Sequence, residues 1–352
     1  IMKRGSLSGG AIAAALALGL GANAADAAER WSMATAWAGG PILEQAAKRA
    51  ARNIEFLTDN EIKIEVFPGG TMGSPLKVTE TVRKGVTEIG HSWSGYDWGI
   101  EKTAVLFAGY AGGLNAEQMF HWIYEAGGLE LYQQFRLEKF GVIAFPCGAL
   151  PREMGMHSRK RVQTLEDFKG LKLRTAGAWA EIAPGLGAST VILPGAEVYP
   201  ALERGVIDAI EWAHLSINKT IGFHKIAKYL IMPGIHQPTA FIECTVNKKA
   251  WDSLSERTQK LLMAAGKLTT HKFYQEVGNA DAYAYDFYVN SGNEIVVLDD
   301  EVIEKAQELS YAWADKVAAE EGGWFAKVLK IQRDYQMAWS NAYKYRDTLP
   351  PK

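Results

Sequence analysis

The chain has 352 residues, with 38 basic and 40 acidic side chains and a formal net charge of −2. That balance excludes the basic excess of a nucleic-acid-binding protein and the charged, low-complexity character of a disordered tail. Hydrophobic residues at 48% and charged residues at 22% describe a globular protein long enough for two cores, and the two cysteines, Cys147 and Cys244, exclude a disulfide-dense scaffold and a Cys-rich zinc site.

Lys3 and Arg4 precede a soft apolar run over residues 11–20, and Ala22-Asn23-Ala24 and Ala25-Asp26-Ala27 follow. A charged start, an apolar stretch and Ala-x-Ala sites predict a secretory signal peptide over 1–28. The mature chain is expected to begin near Ala25 or Ala28. The run is shorter than the roughly 20 apolar residues that span a bilayer, so a soluble exported protein is expected. In an oxidising compartment Cys147 and Cys244 either pair or stand as two buried free thiols, and the sequence leaves both open.

Trp31–Thr35 reads as a first strand, and Pro41 opens a helix whose apolar face runs from Ile42 to Leu57. Ile62, Ile64 and Val66 alternate with charges, as a half-buried strand does. A helix near Leu76–Lys84 and a strand at Thr87–Ser92 follow. Phe140–Pro146, Leu171–Arg174, Thr190–Leu193 and Ala209–Trp212 are further short strands, with helices at about Ala178–Leu186 and Gly195–Arg204. This alternation argues for parallel sheets in an α/β protein. Phe241–Val246 fits a strand that crosses between lobes. Beyond it lie a long helical stretch from Ser255 to about Tyr288, a strand at Glu294–Leu298, and helices near Asp300–Glu320 and Trp324–Tyr345.

No Gly-x-Ser-x-Gly elbow, Walker loop or Gly-x-Gly-x-x-Gly occurs. The glycine-rich segment 69–74 lacks the Lys-Ser/Thr of a phosphate loop and reads as a turn. The seven histidines never pair at metal-ligand spacing on one helix, which speaks against zinc hydrolase chemistry. His214, His224 and His236 are read as surface or core hydrogen-bonders. The rival enzyme reading, a lyase or isomerase with Glu153 or Glu211 as base, has no nucleophile or paired base to support it.

The informative segment runs from Leu193 to Trp212 and carries the spacing Glu197-x-Tyr199-x-Ala201-Leu202-x-x-Gly205-x-Ile207-Asp208-Ala209-x-Glu211-Trp212. Upstream stands Asp167-Phe168-Lys169-Gly170-Leu171-Lys172-Leu173-Arg174; downstream stand Pro233-Gly234-Ile235-His236-Gln237 and Val246-Asn247-Lys248-Lys249-Ala250-Trp251. Together these resemble the extracytoplasmic solute-binding proteins of TRAP transporters, the DctP-like family, nearest the branch that binds 2-oxo and 2-hydroxy carboxylates. The resemblance covers essentially the whole mature chain. It implies an α/β, two-lobed, periplasmic-binding-protein-like fold with an interlobe cleft, hinge strands and long C-terminal helices. Lobe I is expected at 29–149 plus about 238–285, and lobe II at 150–237 plus about 286–352. It also implies a periplasmic receptor that is not an enzyme. Such a receptor captures a small organic acid anion such as pyruvate or lactate by hinge closure and delivers it to TRAP membrane subunits. The alternatives are a receptor for a dicarboxylate or sugar acid and a ligand-sensing adaptor. A monomer and a homodimer paired through the long C-terminal helices both stay open.

Arg174 ends a strand, where ligands of α/β sheets bind, and its planar fork matches a carboxylate. The resemblance makes it the substrate anchor. Glu211-Trp212 ends another strand. In the keto-acid branch the matching glutamate and the tryptophan carbonyl hold a cation, here Na+ or Ca2+, which wants oxygen ligands. A buried Glu–Arg pair is the plainer reading of the same residues. Where the branch shows Gln-Met-Gly, this chain has Glu153-Met154-Gly155, and where a glutamate follows Pro-Gly-x-His, it has Gln237. An amide and a carboxylate have exchanged places, so Glu153, Glu211, Trp212 and Gln237 form the expected cation set. Without a cation the two carboxylates repel an anion. A one-residue shift would instead bring Arg152 into the cleft and favour a diacid. Trp37, Trp93 and Tyr96 are expected as cleft walls, with at least one of Trp93, Tyr96 and Trp98 in the core. Trp179 either caps the opposite wall or packs a helix start.

Overall fold

The computed structural model describes residue 1 and residues 28–346, so nearly all of the segment read as a signal peptide lies outside the described residues. Among the described residues the strands are β1 (Glu29–Thr35), β2 (Ile62–Phe67), β3 (Ile89–Trp93), β4 (Val142–Leu150), β5 (Met156–Ser158), β6 (Lys172–Arg174), β7 (Ser189–Val191), β8 (Ala209–Ile210), β9 (Tyr229–Met232), β10 (Ala240–Asn247) and β11 (Glu294–Val297). They form two sheets, ordered β2-β1-β3-β10-β4 and β11-β9-β5-β8-β6-β7.

In the first sheet β1 pairs in parallel with β2 and β3, while β10 runs antiparallel between β3 and β4. In β2, buried Ile62 and Ile64 alternate with exposed Lys63 and Glu65, as expected for a strand covered on one side. β3 and β10 are inner strands and β4, at the sheet edge, is covered by the helix Glu256–Ala282, so all three are buried almost throughout. In the second sheet β6 pairs in parallel with β7 and β8, and β5 joins β8 to β9 antiparallel.

The chain passes from the first sheet to the second after β4 and returns between β9 and β10. These two passages touch. The Glu153 amide donates to the Gln237 carbonyl at 3.1 Å and Thr239 Oγ1 to the Leu150 carbonyl at 2.7 Å. Only glycine allows that approach. A Cβ on Gly234 would stand 2.0 Å from the Glu153 carbonyl oxygen, and one on Gly155 2.3 Å from that of Ile231. A third passage is the helix Glu256–Ala282, capped by Ser255 and pressed along β4, where Gly266 leaves room for the Pro146 carbonyl. The stretch read as one helix to Tyr288 breaks at Tyr283, and Ala284–Asn290 is a separate helix. At the break Asp281 holds His214 Nδ1 at 2.6 Å.

Several expectations change. The helices Ala104–Ala108, Ala116–Glu125 and Gly128–Phe140 fill a stretch where no element was read. The last of these buries Arg136 beside Tyr132, Phe135 and Phe140, so its inward face is not a clean apolar stripe. β5 and β9 were also not read, β5 because Met156-His157-Ser158 lacks strand-forming residues. The strand expected to reach Trp212 stops at Ile210, and a last backbone bond from the Glu211 amide to the Arg174 carbonyl at 3.0 Å holds Glu211 beside β6. The last helix, Gly323–Arg346, reaches the first sheet's helices: Gln332 Nε2 donates to the Leu106 carbonyl at 2.7 Å and Gln336 Nε2 to that of Gly112 at 3.1 Å. Cys147 and Cys244 form a disulfide between β4 and β10, both fully buried, so the free-thiol alternative falls. Among the described residues no helix is long and apolar enough to cross a membrane.

Candidate functional site

Strand ends from both sheets meet at one chamber. Its lining includes Trp37, Trp93, Tyr96, Glu153, Arg174, Glu211, Trp212 and Gln237, the full set of expected site residues. Trp98 is half-buried against the core and does not line it.

Arg174 ends β6 and is 2% exposed. Its Nε and Nη2 donate to the Leu193 carbonyl at 3.3 and 3.0 Å, and Nη1 donates to the Glu211 carbonyl at 3.0 Å. The guanidinium lies over the Trp212 ring, 4.7 Å from its centre. Three of its five N–H groups are thereby spent on holding it still. N–H groups on both terminal nitrogens remain free of carbonyl partners among the described residues. The Glu211 carboxylate stands 4.0 Å away, so the plain Glu–Arg pair is loose rather than bidentate.

Glu211 accepts the Thr175 hydroxyl at 2.6 Å. Glu153, 6% exposed, meets His236 Nε2 at 3.3 Å, and the same nitrogen lies 3.6 Å from Glu211 Oε1. Burial holds the Glu153 carboxyl above the ordinary value; His236 opposes this and Glu211 adds to it. One donor atom each from Glu153, Glu211 and His236 lie within 4.8 Å of one another. Gln237 donates its amide nitrogen to the Thr239 carbonyl at 2.5 Å and the Ala108 carbonyl at 3.3 Å, which leaves Oε1 as the amide's free acceptor.

Reading His236 as a hydrogen-bonder in the core missed its position between the two glutamates. The Pro233–Gln237 motif was the signal that placed it one residue from a site residue. Arg152, the alternative to Glu153, points away: its Nη1 donates to the Gly234 carbonyl at 3.0 Å, and it lines a different cavity with Gly112 and Tyr311. The diacid reading built on it falls. Trp179 is buried behind His236, with ring centres 6.2 Å apart.

The first-lobe wall is rigidly held. Trp37 Nε1 donates to His91 Nδ1 at 2.8 Å, and burial pulls the His91 ring down to about 4, so it is a neutral acceptor. Trp93 donates to the Ala108 carbonyl at 3.1 Å and packs edge-on to Tyr96. Next to Tyr96, Asp97 accepts Arg136 Nη1 at 2.8 Å and the Thr79 hydroxyl at 2.7 Å. Arg136 also reaches Glu243 of β10 at 2.7 Å, and Tyr132 donates to the same carboxylate. One buried cation thus ties the aromatic loop to β10, which lies within the first sheet rather than crossing between lobes as the sequence suggested.

Burial pushes the Glu243 carboxyl up to about 7, with Arg136 opposing. Folding therefore favours its protonated form. The resulting stability is complete below the ordinary value of 4.5 and is lost as pH rises through about 7. It is worth on the order of 3 kcal/mol. Glu243→Gln is expected to flatten the melting-temperature profile between about pH 5 and about pH 8 and to melt higher at the alkaline end. Thermal scans across that range check it, and a slope equal to the parent's refutes the assignment.

At the rim Lys102 of the first lobe meets Glu181 of the second at 3.2 Å, and Trp313 Nε1 donates to that carboxylate at 2.7 Å. The lobes are closed on the chamber. It holds about 40 Å³, against roughly 10–15 Å³ for one water, which suits a group of a few heavy atoms.

A chamber between two lobes with a clamped arginine on its wall is the arrangement of a receptor for a small acid. Residues 33–321 match the family model described as bacterial extracellular solute-binding protein, family 7. The chain is 30% identical over 282 residues to a monocarboxylate 2-oxoacid-binding periplasmic protein of Nostoc, covering 80% of this chain and 77% of that one. A TRAP periplasmic solute-binding protein of Pseudoalteromonas atlantica, solved with bound sodium and pyruvate, is 31% identical with a TM-score of 0.86, over 91% of this chain and 98% of that one. A TRAP transporter solute-binding protein of Bordetella bronchiseptica, a mixed-occupancy dimer with copurified calcium and picolinate, is 26% identical with a TM-score of 0.87, over 91% and 95%. The chain belongs to the DctP family of bacterial extracellular solute-binding proteins.

Proposed function

We propose that the protein is the periplasmic receptor of a TRAP transporter for a 2-oxo or 2-hydroxy monocarboxylate and that it works together with a hard cation. The observation that carries this is Arg174, fully buried, clamped by two carbonyls, yet with N–H groups left over at the chamber wall. A carboxylate is the acceptor that such a fork fits.

The donor set suits a cation. Two buried carboxylates, Glu153 and Glu211, converge, and Gln237 has an unspent amide oxygen. Glu211, Glu153, Gln237 and the Trp212 carbonyl are the residues that would hold it, with His236 alongside. When bound, a hard cation supplies positive charge that both glutamates and an α-oxygenated acid can share. Arg174 then orients the carboxylate. Thr175 and His236 hold the two glutamates in place. Trp37, Trp93 and Tyr96 exclude water on the first-lobe side. A ligand touching both lobes favours the closed form and so the state presented to the membrane subunits.

The lobes we propose are 29–149 with about 238–285 and 150–237 with about 286–352, the last helix touching both. The relatives are periplasmic, and a disulfide buried in the core agrees with export into an oxidising compartment.

A thermal-shift screen tests the reading. Millimolar pyruvate or lactate with calcium or sodium is expected to raise the melting temperature by several degrees, following RT ln(1 + [L]/Kd) for a micromolar binder. Dicarboxylates and sugar acids are expected to give less. A response confined to sugar acids or dicarboxylates would overturn the ligand class.

A further inference from the structure

We infer that Gly177 is a positioning residue: its bare α-carbon is the stop on which Trp93 lands when the lobes close, and this contact fixes how near Arg174 comes to the first-lobe wall. The inference rests on the receptor reading above, in which a bound acid favours the closed form.

Gly177 is buried in the short turn between β6 and the helix Trp179–Ile182, three residues beyond Arg174. Its φ is +63°, a left-handed conformation that disfavours any side chain. Space is a second and separate constraint. A Cβ at this position would stand 2.7 Å from Cη2 of the Trp93 ring, which comes from the other lobe.

The ring has nowhere to retreat. Its Nε1 is held by the Ala108 carbonyl at 3.1 Å, and Tyr96 packs edge-on with ring centres 5.3 Å apart. Behind it lies Gly95, where a Cβ would collide with the same ring. Trp93 is thus wedged between two glycines, one from each lobe. Volume added at residue 177 has to be taken up by the lobes standing further apart.

The segment that carries the stop also carries the anchor and a latch. Arg174 faces the chamber, and Glu181 meets Lys102 of the first lobe at 3.2 Å, while Lys102 also lies 3.7 Å from Glu321. These ion pairs are partly exposed, so they favour closure weakly and do not fix its extent. Steric contact rises steeply with approach, and the Trp93–Gly177 contact sets the limit. The chamber's small volume, about 40 Å³, follows from where that limit falls.

A double-mutant cycle read by titration calorimetry, with calcium and sodium present, tests this. The probe is whichever of pyruvate, lactate, succinate and galacturonate stabilises the parent, so an error in the ligand class leaves the test intact. Gly177→Ala is expected to weaken binding about tenfold or more, the cost of one methyl in a space without slack. In a Trp93→Leu background the same change is expected to cost less than about twofold, because the ring it meets is gone. Gly170→Ala is the control. Gly170 also has a left-handed φ, +69°, in the turn that enters β6, but a Cβ there meets open space. That variant pays the backbone cost without reaching the first lobe and is expected to change affinity by less than about twofold. An equal loss from Gly177→Ala in both backgrounds, no loss in the parent, or the same loss from Gly170→Ala overturns the stop. If the parent binds none of the four acids, the receptor reading fails and this inference fails with it.

Discussion

Arg174→Ala is expected to abolish ligand-induced thermal stabilisation. Removing one partner of a buried, hydrogen-bonded charge pair costs about 2–5 kcal/mol, which is a loss of roughly thirtyfold to several thousandfold in affinity. A micromolar binder would then bind in the range from roughly tens of micromolar to a few millimolar. The variant also leaves the Leu193 and Glu211 carbonyls without their donors, so the unliganded protein is expected to melt lower. The diagnostic quantity is therefore the shift on adding ligand. Arg174→Lys is expected to behave almost as badly. An ammonium cannot hold the Leu193 and Glu211 carbonyls and still present a fork to the carboxylate. A thermal shift or calorimetric affinity equal to the parent's in either variant would remove Arg174 from the site.

The second large effect concerns charge in the chamber. With Glu153 and Glu211 both buried beside a carboxylate ligand, binding without a cation meets two negative charges. Chelation is expected to weaken 2-oxo acid binding tenfold or more, and added calcium or sodium to restore it. Glu153→Gln separates the contributions. In chelated protein it removes one repelling charge and is expected to bind the acid tighter than the parent. In calcium-saturated protein the same change removes a ligand carboxylate and is expected to bind more weakly. That crossover, read by calorimetry under the two conditions, is the signature of a shared cation. Because burial holds the Glu153 carboxyl up, its charged form is favoured only as pH rises through that raised value, so the calcium effect is expected to grow with pH. An affinity indifferent to chelator, calcium and sodium alike would remove the cation from the reading.

The sequence was most legible where chemistry and chain order coincide. Arg174, Glu211 and Trp212 stand in two nearly contiguous runs, and their strand ends place them at the cleft without any long-range information. The aromatic walls were legible for the same reason, since Trp37 follows β1 and Trp93 ends β3. His236 was not, because its role exists only once the two passages between the lobes bring residue 236 against residue 153. The choice between Arg152 and Glu153 was closed to the sequence too. Successive residues of an extended segment face opposite sides, and only the register of the passage decides which side is the chamber. The helices between residues 104 and 140 were hidden by their own interior chemistry. A buried Arg136, held by Asp97 and Glu243 from distant segments, disrupts the apolar period that would have revealed them. The disulfide required knowing that β4 and β10 are neighbours, and they are 97 residues apart at the cysteines.

That bond gives the molecule an unusual connectivity. Residues 148–243 leave and rejoin the first lobe at Cys147 and Cys244, and they carry β5 to β9, five of the six strands of the second sheet. Most of the second lobe is therefore a covalent ring threaded onto the rest of the chain at a single buried clasp. To a protease it offers no loose end: one cut within the ring opens a loop, and both halves stay bonded to the lobe they came from. A two-lobed receptor built this way keeps most of its second sheet attached even when the backbone of that part is broken.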